Sequence, residues 1–351
     1  MIAAGGMRLE TPQSDGDLDR IAKVLLHAYE KGINYFDTAP LYCGDRSEEI
    51  VGRAIGQMKP GSYYVSTKCS AVDGAELRKS LERSLKRLGV DRIHFFHIWC
   101  LLKAEEWEAR LKGGAVDAAF QAKEEGLVEH VVFSTHLSGD ETARVIAESS
   151  FEGVTLGFNA VNFPYRERAL AAAGRAKLGV VTMNPLGGGL IPRHAERFDF
   201  IRSPNDPDVV TAALRFNLSH PQVTAALVGF NNTAEVDQAV AALDGFEMYD
   251  GSFVAKIKNQ ITDQFNGLCT GCGYCLPCPA GVPIPKFMDV HNILDLQDES
   301  QDVYDRLNWH WNLDPKDAGA CVACGECEKR CTQHLPIIER LHRITMIQPK
   351  A

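Results

Sequence analysis

The sequence predicts an α/β protein, a (β/α)8 TIM barrel followed by a small, mainly α-helical domain. Three observations predict it. Short apolar runs rich in β-branched and aromatic residues alternate with helical patterns up to about residue 243, the signature of a parallel sheet wrapped by helices. These runs number eight, the barrel number. Past them the alternation stops, and eight of the eleven cysteines fall in what remains.

The strands are expected at Ile2 to Gly6, Ile33 to Thr38, Tyr63 to Lys68, Ile93 to Ile98, His130 to Ser134, Val154 to Asn159, Gly179 to Met183 and Thr224 to Val228. The helices between them have clear stops. LDRIAKVLLHAYEKG and AELRKSLERSLKRLG both place apolar residues at three- and four-residue spacing and end on a glycine just past the last turn. The eighth helix is TAEVDQAVAALDG, and a mixed segment, Phe246 to Phe265, follows it. The domain boundary is therefore expected between residues 244 and 268, giving a barrel over 1–245 and a linker helix with a cysteine-rich domain over 246–351. PKFMDVHNILDL and LPIIERLHRI read as helices between and after the cysteine groups.

Composition narrows the class. At 45% apolar and 24% charged residues, the chain has an ordinary globular make-up that excludes disordered and fibrous classes. Its net charge of −9, with 37 basic against 46 acidic residues and no Lys/Arg run, argues against a nucleic-acid partner. MIAAGGMRLE carries no charged leader, and no stretch approaches the roughly 20 apolar residues of a membrane span. A soluble, cytoplasmic protein is the expectation. Clustered thiols in a long chain without a leader point to metal ligation over disulfides.

Functional groups of such barrels sit at the C-terminal ends of strands. INYFDTAPLYCGDRSEEIVGRAI ends its strand at Asp37 and carries Tyr42 on the next loop; YYVSTK ends at Lys68; IHFFHIW places His97 at the end of strand four. In this order the four residues resemble the Asp, Tyr, Lys, His tetrad of the aldo-keto reductase family, and SEEIVGRAI and NPLGGG extend the resemblance over residues 1 to about 245. It implies hydride reduction of a carbonyl, or the reverse. A proton must reach the oxygen as hydride reaches the carbon, and a tyrosine with a pKa near about 10 is a poor donor at neutral pH. Lys68 is expected to lower that pKa, Asp37 to hold Lys68 charged and oriented, and His97 to orient the substrate oxygen. Three residues before His97, His94 must face the other way on the same strand, as a core histidine outside the barrel lumen.

The resemblance also implies a nicotinamide dinucleotide, NADP or NAD, bound across the barrel mouth; no Rossmann GxGxxG fingerprint is present. Ser134 matches the family serine that holds the carboxamide. Pro185, Leu186 and Gly187, with the glycines after it, match the loop beside the pyrophosphate, and Gly229, Asn231 and Asn232 match the adenosine end. The family's carboxamide-binding Gln falls at Gly157, where Asn159, facing the same way, is the expected substitute. Its Glu-Asn pair in the last helix is replaced by Gln238 and Ala239. Between Gly229 and Leu243 there is no Lys or Arg, so the usual clamp on a 2′-phosphate is missing. The chain opens directly on strand one, without the family's short hairpin at the barrel bottom.

Two groups of cysteines repeat a C-x2-C-x2-C core: Cys269, Cys272, Cys275 with Cys278, and Cys321, Cys324, Cys327 with Cys331. Three closely spaced thiolates can wrap three corners of a cubane, while in two-cluster ferredoxins the fourth reaches the other cluster. By that logic one 4Fe-4S cluster takes Cys269, Cys272, Cys275 and Cys331, and the other takes Cys321, Cys324, Cys327 and Cys278. Two zinc sites of four thiolates each are the alternative, although zinc sites favour separated C-x2-C pairs. The segment of about forty residues between the groups suggests a helical, ferredoxin-like domain. Cys43, Cys69 and Cys100 are expected to be inert packing, His136 a solvated loop histidine, and Trp309, His310 and Trp311 part of the small domain's core.

An oxidoreductase acting on a small carbonyl or alcohol is thus expected, its clusters exchanging electrons with an external redox partner or capping the pocket. The second reading is an electron-transfer or redox-sensing subunit that binds dinucleotide without carbonyl turnover.

Overall fold

The computed structural model describes residues 1–101, 104–264, 267–269, 273, 275–297, 303–304, 306–331 and 333–348. Eight strands run β1 (Ile2–Gly5), β2 (Tyr35–Asp37), β3 (Tyr64–Cys69), β4 (Ile93–Leu101), β5 (Val128–Thr135), β6 (Gly153–Gly157), β7 (Gly179–Met183) and β8 (Ala225–Gly229). All pair in parallel with their sequence neighbours, and β8 returns to β1, closing the barrel. The expected strands are all present. They differ from expectation at their ends, most at β2, where Ile33 and Asn34 precede the ladder, and at β4, which continues through an irregularity to Leu101.

Among the described residues the helices up to Ala241 are, in order, α1 (Gly16–Glu30), α2 (Ser47–Ile55), α3 (Gly74–Leu88), α4 (Ala104–Lys112), α5 (Ala115–Glu124), α6 (Gly139–Glu148), α7 (Glu167–Arg175), the short α8 (Leu190–Arg193), α9 (Val209–Leu218) and α10 (Thr233–Ala241). Their boundaries have local causes. Asp73 caps α3 by accepting from Glu76 N, and Gly89, at φ 67°, closes it in the left-handed region that glycine adopts without a Cβ penalty. Ser138 and Glu141 cap α6 reciprocally. On α2, a Cβ at Gly52 would lie 2.7 Å from the carbonyl oxygen of Arg87, so only glycine lets α2 close on the end of α3.

The chain divides into two compact units, Met1–Leu186 with Ile201–Val254, and Gly187–Phe200 with Ala255–Ala351. The first therefore reaches a little past residue 245, and the loop after β7 groups with the second. Inside the barrel, Ala3, Tyr35 and Ala225 form a small apolar layer with Phe95, Val181 and Leu227. Because side chains on a strand alternate, Asp37 and His97, two residues beyond Tyr35 and Phe95, stand one layer nearer the mouth on the same face.

The second unit contains α8, α11 (Gly251–Gln264, assigned to it from Ala255 onward), α12 (Ile284–Gln297), α13 (Glu326–Lys329) and α14 (Ile337–Thr345). Its core is Phe287, Met288, Val290, Leu307, Ile337, Leu341 and Ile344 with Cys327; Cys269, Cys275, Cys278, Cys321, Cys331 and Trp311 pack against it, half buried. The side chains of Trp309 and His310 lie outside the described residues. No helix among the described residues is long and apolar enough to cross a membrane.

Candidate active site and cysteine centre

Adjacent strands set the barrel site. In the parallel register Asp37 stands opposite Ser66, and Lys68 opposite His97. Lys68 Nζ donates to Asp37 Oδ2 at 2.5 Å and to the Thr38 carbonyl at 2.7 Å, while Ser66 Oγ donates to Asp37 Oδ1 at 2.5 Å. Both members of the Asp37–Lys68 pair are buried. Removing an ammonium from water favours its neutral form, so burial pulls Lys68 below the ordinary lysine range while Asp37 pulls it back up.

Tyr42 sits on the loop after β2, its ring edge-on to Trp99 with centroids 5.6 Å apart and 5.4 Å from Lys68 Nζ. Here one expectation is corrected. The phenol is pushed up, first by burial and then by the negative charge of Asp37, instead of being lowered by Lys68. The ammonium faces the ring and spends its donors on Asp37 and Thr38, so the desolvation of the phenolate wins.

His97 is buried, 3.9 Å from Asp37 Oδ1, and neither ring nitrogen makes a hydrogen bond of sound geometry among the described residues. Burial first and then the Lys68 charge hold it well below the usual histidine range, hence neutral. His94 is half buried and accepts from Val65 N at 3.1 Å, between the rings of Tyr63 and Tyr64.

The structure also gives work to residues that sequence reasoning had left idle. Cys43, expected to be inert packing, donates its thiol toward the carbonyls of Gly6, at 3.1 Å, and Leu9, at 3.2 Å; burial raises it to about 11. Ser47 Oγ also donates to the Gly6 carbonyl, and Thr67 donates to the buried Glu48. The Cys43 and Ser47 bonds tie the tyrosine loop and α2 to the turn after β1, and the Thr67 bond ties α2 to β3. The only sequence signal was SEEIVGRAI, which reads as an amphipathic helix and says nothing of partners. His136 is partly buried, not solvated. Its Nδ1 lies 3.3 Å from where a Cβ on Gly157 would stand, and burial, then Arg166, lowers it to about 3.

The nucleotide candidates are all placed. Ser134 Oγ accepts from Cys100 N at 3.0 Å and keeps its own proton to donate. Asn159 is more committed: Nδ2 donates to the Asn184 carbonyl, and Oδ1 accepts from Val161 N and Asn162 N, leaving one N–H. Pro185 and Leu186 end the first part of the barrel unit, and Gly187 opens a run of three glycines at positive φ. Asn232 caps α10 by accepting from Glu235 N, and Glu235 in turn accepts from Asn231 N.

In the second unit, Cys275, Cys278, Cys321, Cys324 and Cys327 line one pocket. Thiols of both groups, Cys275 and Cys278 from the first and Cys321, Cys324 and Cys327 from the second, thus meet at one pocket. Asn292 of α12 accepts from Cys269 N and donates to the Cys269 carbonyl, fixing the backbone there. Cys272 lies outside the described residues. Among the described residues no three ligating side chains close on a single ion. Thiols spread round a cavity suit a polynuclear cluster, whose irons separate the sulfurs, better than one tetrahedral ion.

A closed parallel barrel with a buried Asp–Lys pair, a phenol and a neutral histidine at its strand ends defines a barrel oxidoreductase. Residues 1–260 match the aldo/keto reductase family, and the chain belongs to it. Residues 268–335 match the 4Fe-4S dicluster domain. L-galactose dehydrogenase of Arabidopsis thaliana is 25% identical over 264 residues, which is 65% of this chain and 79% of that protein. D-threo-aldose 1-dehydrogenase of a Pseudomonas species is 25% identical over 277 residues, 63% of this chain and 82% of that one. The holo form of a Bacillus halodurans aldo-keto reductase superposes with a TM-score of 0.63 at 19% identity, over 74% of this chain and 91% of that one, a likeness of fold.

Proposed function

We propose that the barrel interconverts a small carbonyl and the corresponding alcohol with NADP or NAD, and that the C-terminal domain holds two 4Fe-4S clusters that pass single electrons to an external redox partner. The observation that carries the first part is the convergence of a protonated phenol, a buried ammonium and a neutral imidazole at one end of the barrel. Ser134, Asn159, Pro185, Leu186, Gly187, Gly229, Asn231 and Asn232 are the residues that would hold the dinucleotide, which supplies or accepts hydride at the carbonyl carbon.

The chain's own groups do the rest. Tyr42 holds its proton at neutral pH and delivers it to the oxygen on which charge develops, so hydride and proton together convert C=O to CH–OH. The phenolate left behind is stabilised by the Lys68 ammonium, which Asp37 and the Thr38 carbonyl keep in place. His97, neutral, offers a ring N–H to the same oxygen and orients it. Trp99 covers one edge of the Tyr42 ring and limits water there.

Asp37, Tyr42, Lys68 and His97 are thus assigned to catalysis. Cys269, Cys272, Cys275 and Cys331 are assigned to one cluster, and Cys321, Cys324, Cys327 and Cys278 to the other. Cys278 lines one pocket with Cys321, Cys324 and Cys327, which supports the second set; Cys275 lines it too, and its place in the first cluster rests on the C-x2-C-x2-C spacing.

The test is a screen of small aldehydes and ketones with NADH and NADPH on anaerobically purified protein, repeated with Tyr42→Phe. Loss of carbonyl reduction in the variant, with dinucleotide binding kept, supports the enzyme. If redox activity is unchanged in Tyr42→Phe, the protein is a dinucleotide-binding electron carrier instead.

A further inference from the structure

In the second unit three buried side-chain nitrogens make no hydrogen bond among the described residues: His194 Nδ1, His291 Nε2 and Arg340 Nη1. The last two belong to side chains that share one partner. Asp295 accepts from His291 Nδ1 at 3.1 Å, pairs through the same oxygen with Arg340 Nη2 at 3.5 Å, and pairs through the other with Arg343 Nη1 at 3.6 Å. One carboxylate on α12 therefore answers two guanidinium charges on α14. Arg343 is exposed, so water screens it, whereas the Arg340 side chain is only 11% exposed and its charge is felt inside the unit.

The neighbours of the Arg340 guanidinium are also neighbours of two thiols. Arg340 Nη2 lies 3.0 Å from where a Cβ on Gly267 would stand, and Gly267, at φ 116°, comes two residues before Cys269. The same Cβ would lie 3.7 Å from Leu335, whose backbone N–H donates to Cys331 Sγ at 3.3 Å. Cys269 and Cys331, distant in sequence, are both assigned above to the first cluster. The second group has different surroundings. Cys324 is exposed, and the nearby Lys329 and Arg330 are both paired with Glu326, at 2.8 Å and 3.7 Å.

A cubane held by four thiolates is an anion, and reduction adds one more negative charge to it. Positive charge beside it and N–H donors to its sulfurs favour the reduced form. A buried guanidinium with an N–H to spare suits such a neighbour, whereas an apolar core would leave that nitrogen stranded.

We propose that Arg340 donates its Nη1–H to a sulfur of the first cluster, that of Cys269, Cys272, Cys275 and Cys331, and so places its reduction potential above that of the second. Asp295, itself tethered by His291, holds the guanidinium through Nη2. In the first step of reduction one electron, given up by a one-electron donor, is gained by the first cluster. The proposal rests on the two-cluster reading above and names the residue that ranks the clusters.

The experiment is an anaerobic, mediator-buffered titration of the full-length protein with dithionite, followed by electron paramagnetic resonance, for wild type, Arg340→Gln and Arg340→Lys, with iron measured in each. Cys269→Ser identifies the step of the first cluster as the one that it displaces or removes. Wild type should hold about eight irons per chain and show two steps, the first cluster's at the less negative potential. In Arg340→Gln that step should move to more negative potential while the other stays, and Arg340→Lys, which keeps the charge but not the planar fork, should lie between. An unmoved first step in an Arg340→Gln protein with its iron intact overturns the proposal, and so does an equal shift of both steps. Should Arg340→Gln lose iron, Arg340→Lys decides: a lowered first step supports the proposal, and a step at the wild-type position overturns it. Wild type without iron ends the two-cluster reading itself, and the proposal with it.

Discussion

Lys68 Nζ lies 5.4 Å from the centre of the Tyr42 ring while bonded at 2.5 Å to Asp37 Oδ2. The ammonium thus meets the face of the phenol and the end of the carboxylate, and two opposing effects act on Tyr42. Burial and the Asp37 charge favour the neutral phenol; the ammonium favours the phenolate. In this geometry the first pair wins and the phenol stays protonated. The raised phenol keeps its proton at neutral pH but is a weaker acid, so its delivery to a developing alkoxide would depend on Lys68 stabilising the phenolate as it forms.

The alkaline limb of turnover should then belong to Lys68. Its folded pKa is lowered, so its charge is lost as pH rises through a value below the ordinary lysine range of about 10.4, whereas Tyr42 is raised and titrates later. An arginine in its place stays charged, so Lys68→Arg should move the limb upward even though kcat falls. The kcat profile from pH 7 to 11 measures it. A limb that stays where it was in Lys68→Arg assigns it to another group.

The same pair makes a stability prediction. Lys68→Met leaves Asp37 buried with Ser66 as its remaining side-chain partner, and stranding a buried charge costs about 3–5 kcal/mol. Asp37→Asn with Lys68→Met removes both charges and should recover a good part of that loss. Urea unfolding followed by far-UV circular dichroism compares the two. Equal losses in the single and double variants would mean that the charge pair is not what the site's stability depends on.

That Asp37, Lys68 and His97 gather at one end of the barrel was legible because strand periodicity and strand ends are local properties. Tyr35 and Asp37, or Phe95 and His97, share a face by alternation alone, and a barrel's mouth is where its strands end. What stayed hidden was pairing between distant segments. Nothing in the sequence around Gly229 says that Arg8 lies across it, nor does Cys43 announce that its thiol bonds the Gly6 and Leu9 carbonyls. The sign of the Tyr42 shift was missed for a related reason. Residue types name the charges present, but the balance of burial against charge depends on where the ammonium points.

Acid should weaken the fold from about pH 6.5 downward. His136 falls to about 3 in the folded chain, against about 6.5 when unfolded, so between those values the unfolded chain binds more protons and stability drops as pH drops. Below about pH 3 this contribution is fully lost. His97, also lowered, acts in the same direction, so His136→Gln should flatten the slope between pH 6.5 and 4 without abolishing it. Melting temperatures across that range report it, and an identical slope in the variant would exclude His136 as a source.

In the cysteine domain, the crossing of Cys278 to the later triplet can be tested one thiol at a time. If each group supplies its fourth ligand to the other cluster, Cys278→Ser should disturb the cluster of Cys321, Cys324 and Cys327, whereas Cys331→Ser should disturb the one held by Cys269, Cys272 and Cys275. Wild type should carry about eight irons and eight sulfides per chain, and a variant that loses one cubane about four. Pairing each with a second substitution identifies which cluster has changed. Cys278→Ser combined with Cys324→Ser should look like either single variant by iron content and electron paramagnetic resonance, since both strike one cluster. Cys278→Ser combined with Cys331→Ser should lose signals from both. If instead Cys278→Ser and Cys275→Ser behave as one unit, the fourth thiol stays with its own triplet, and the pocket that Cys275 and Cys278 share with Cys321, Cys324 and Cys327 does not mark a ligand set.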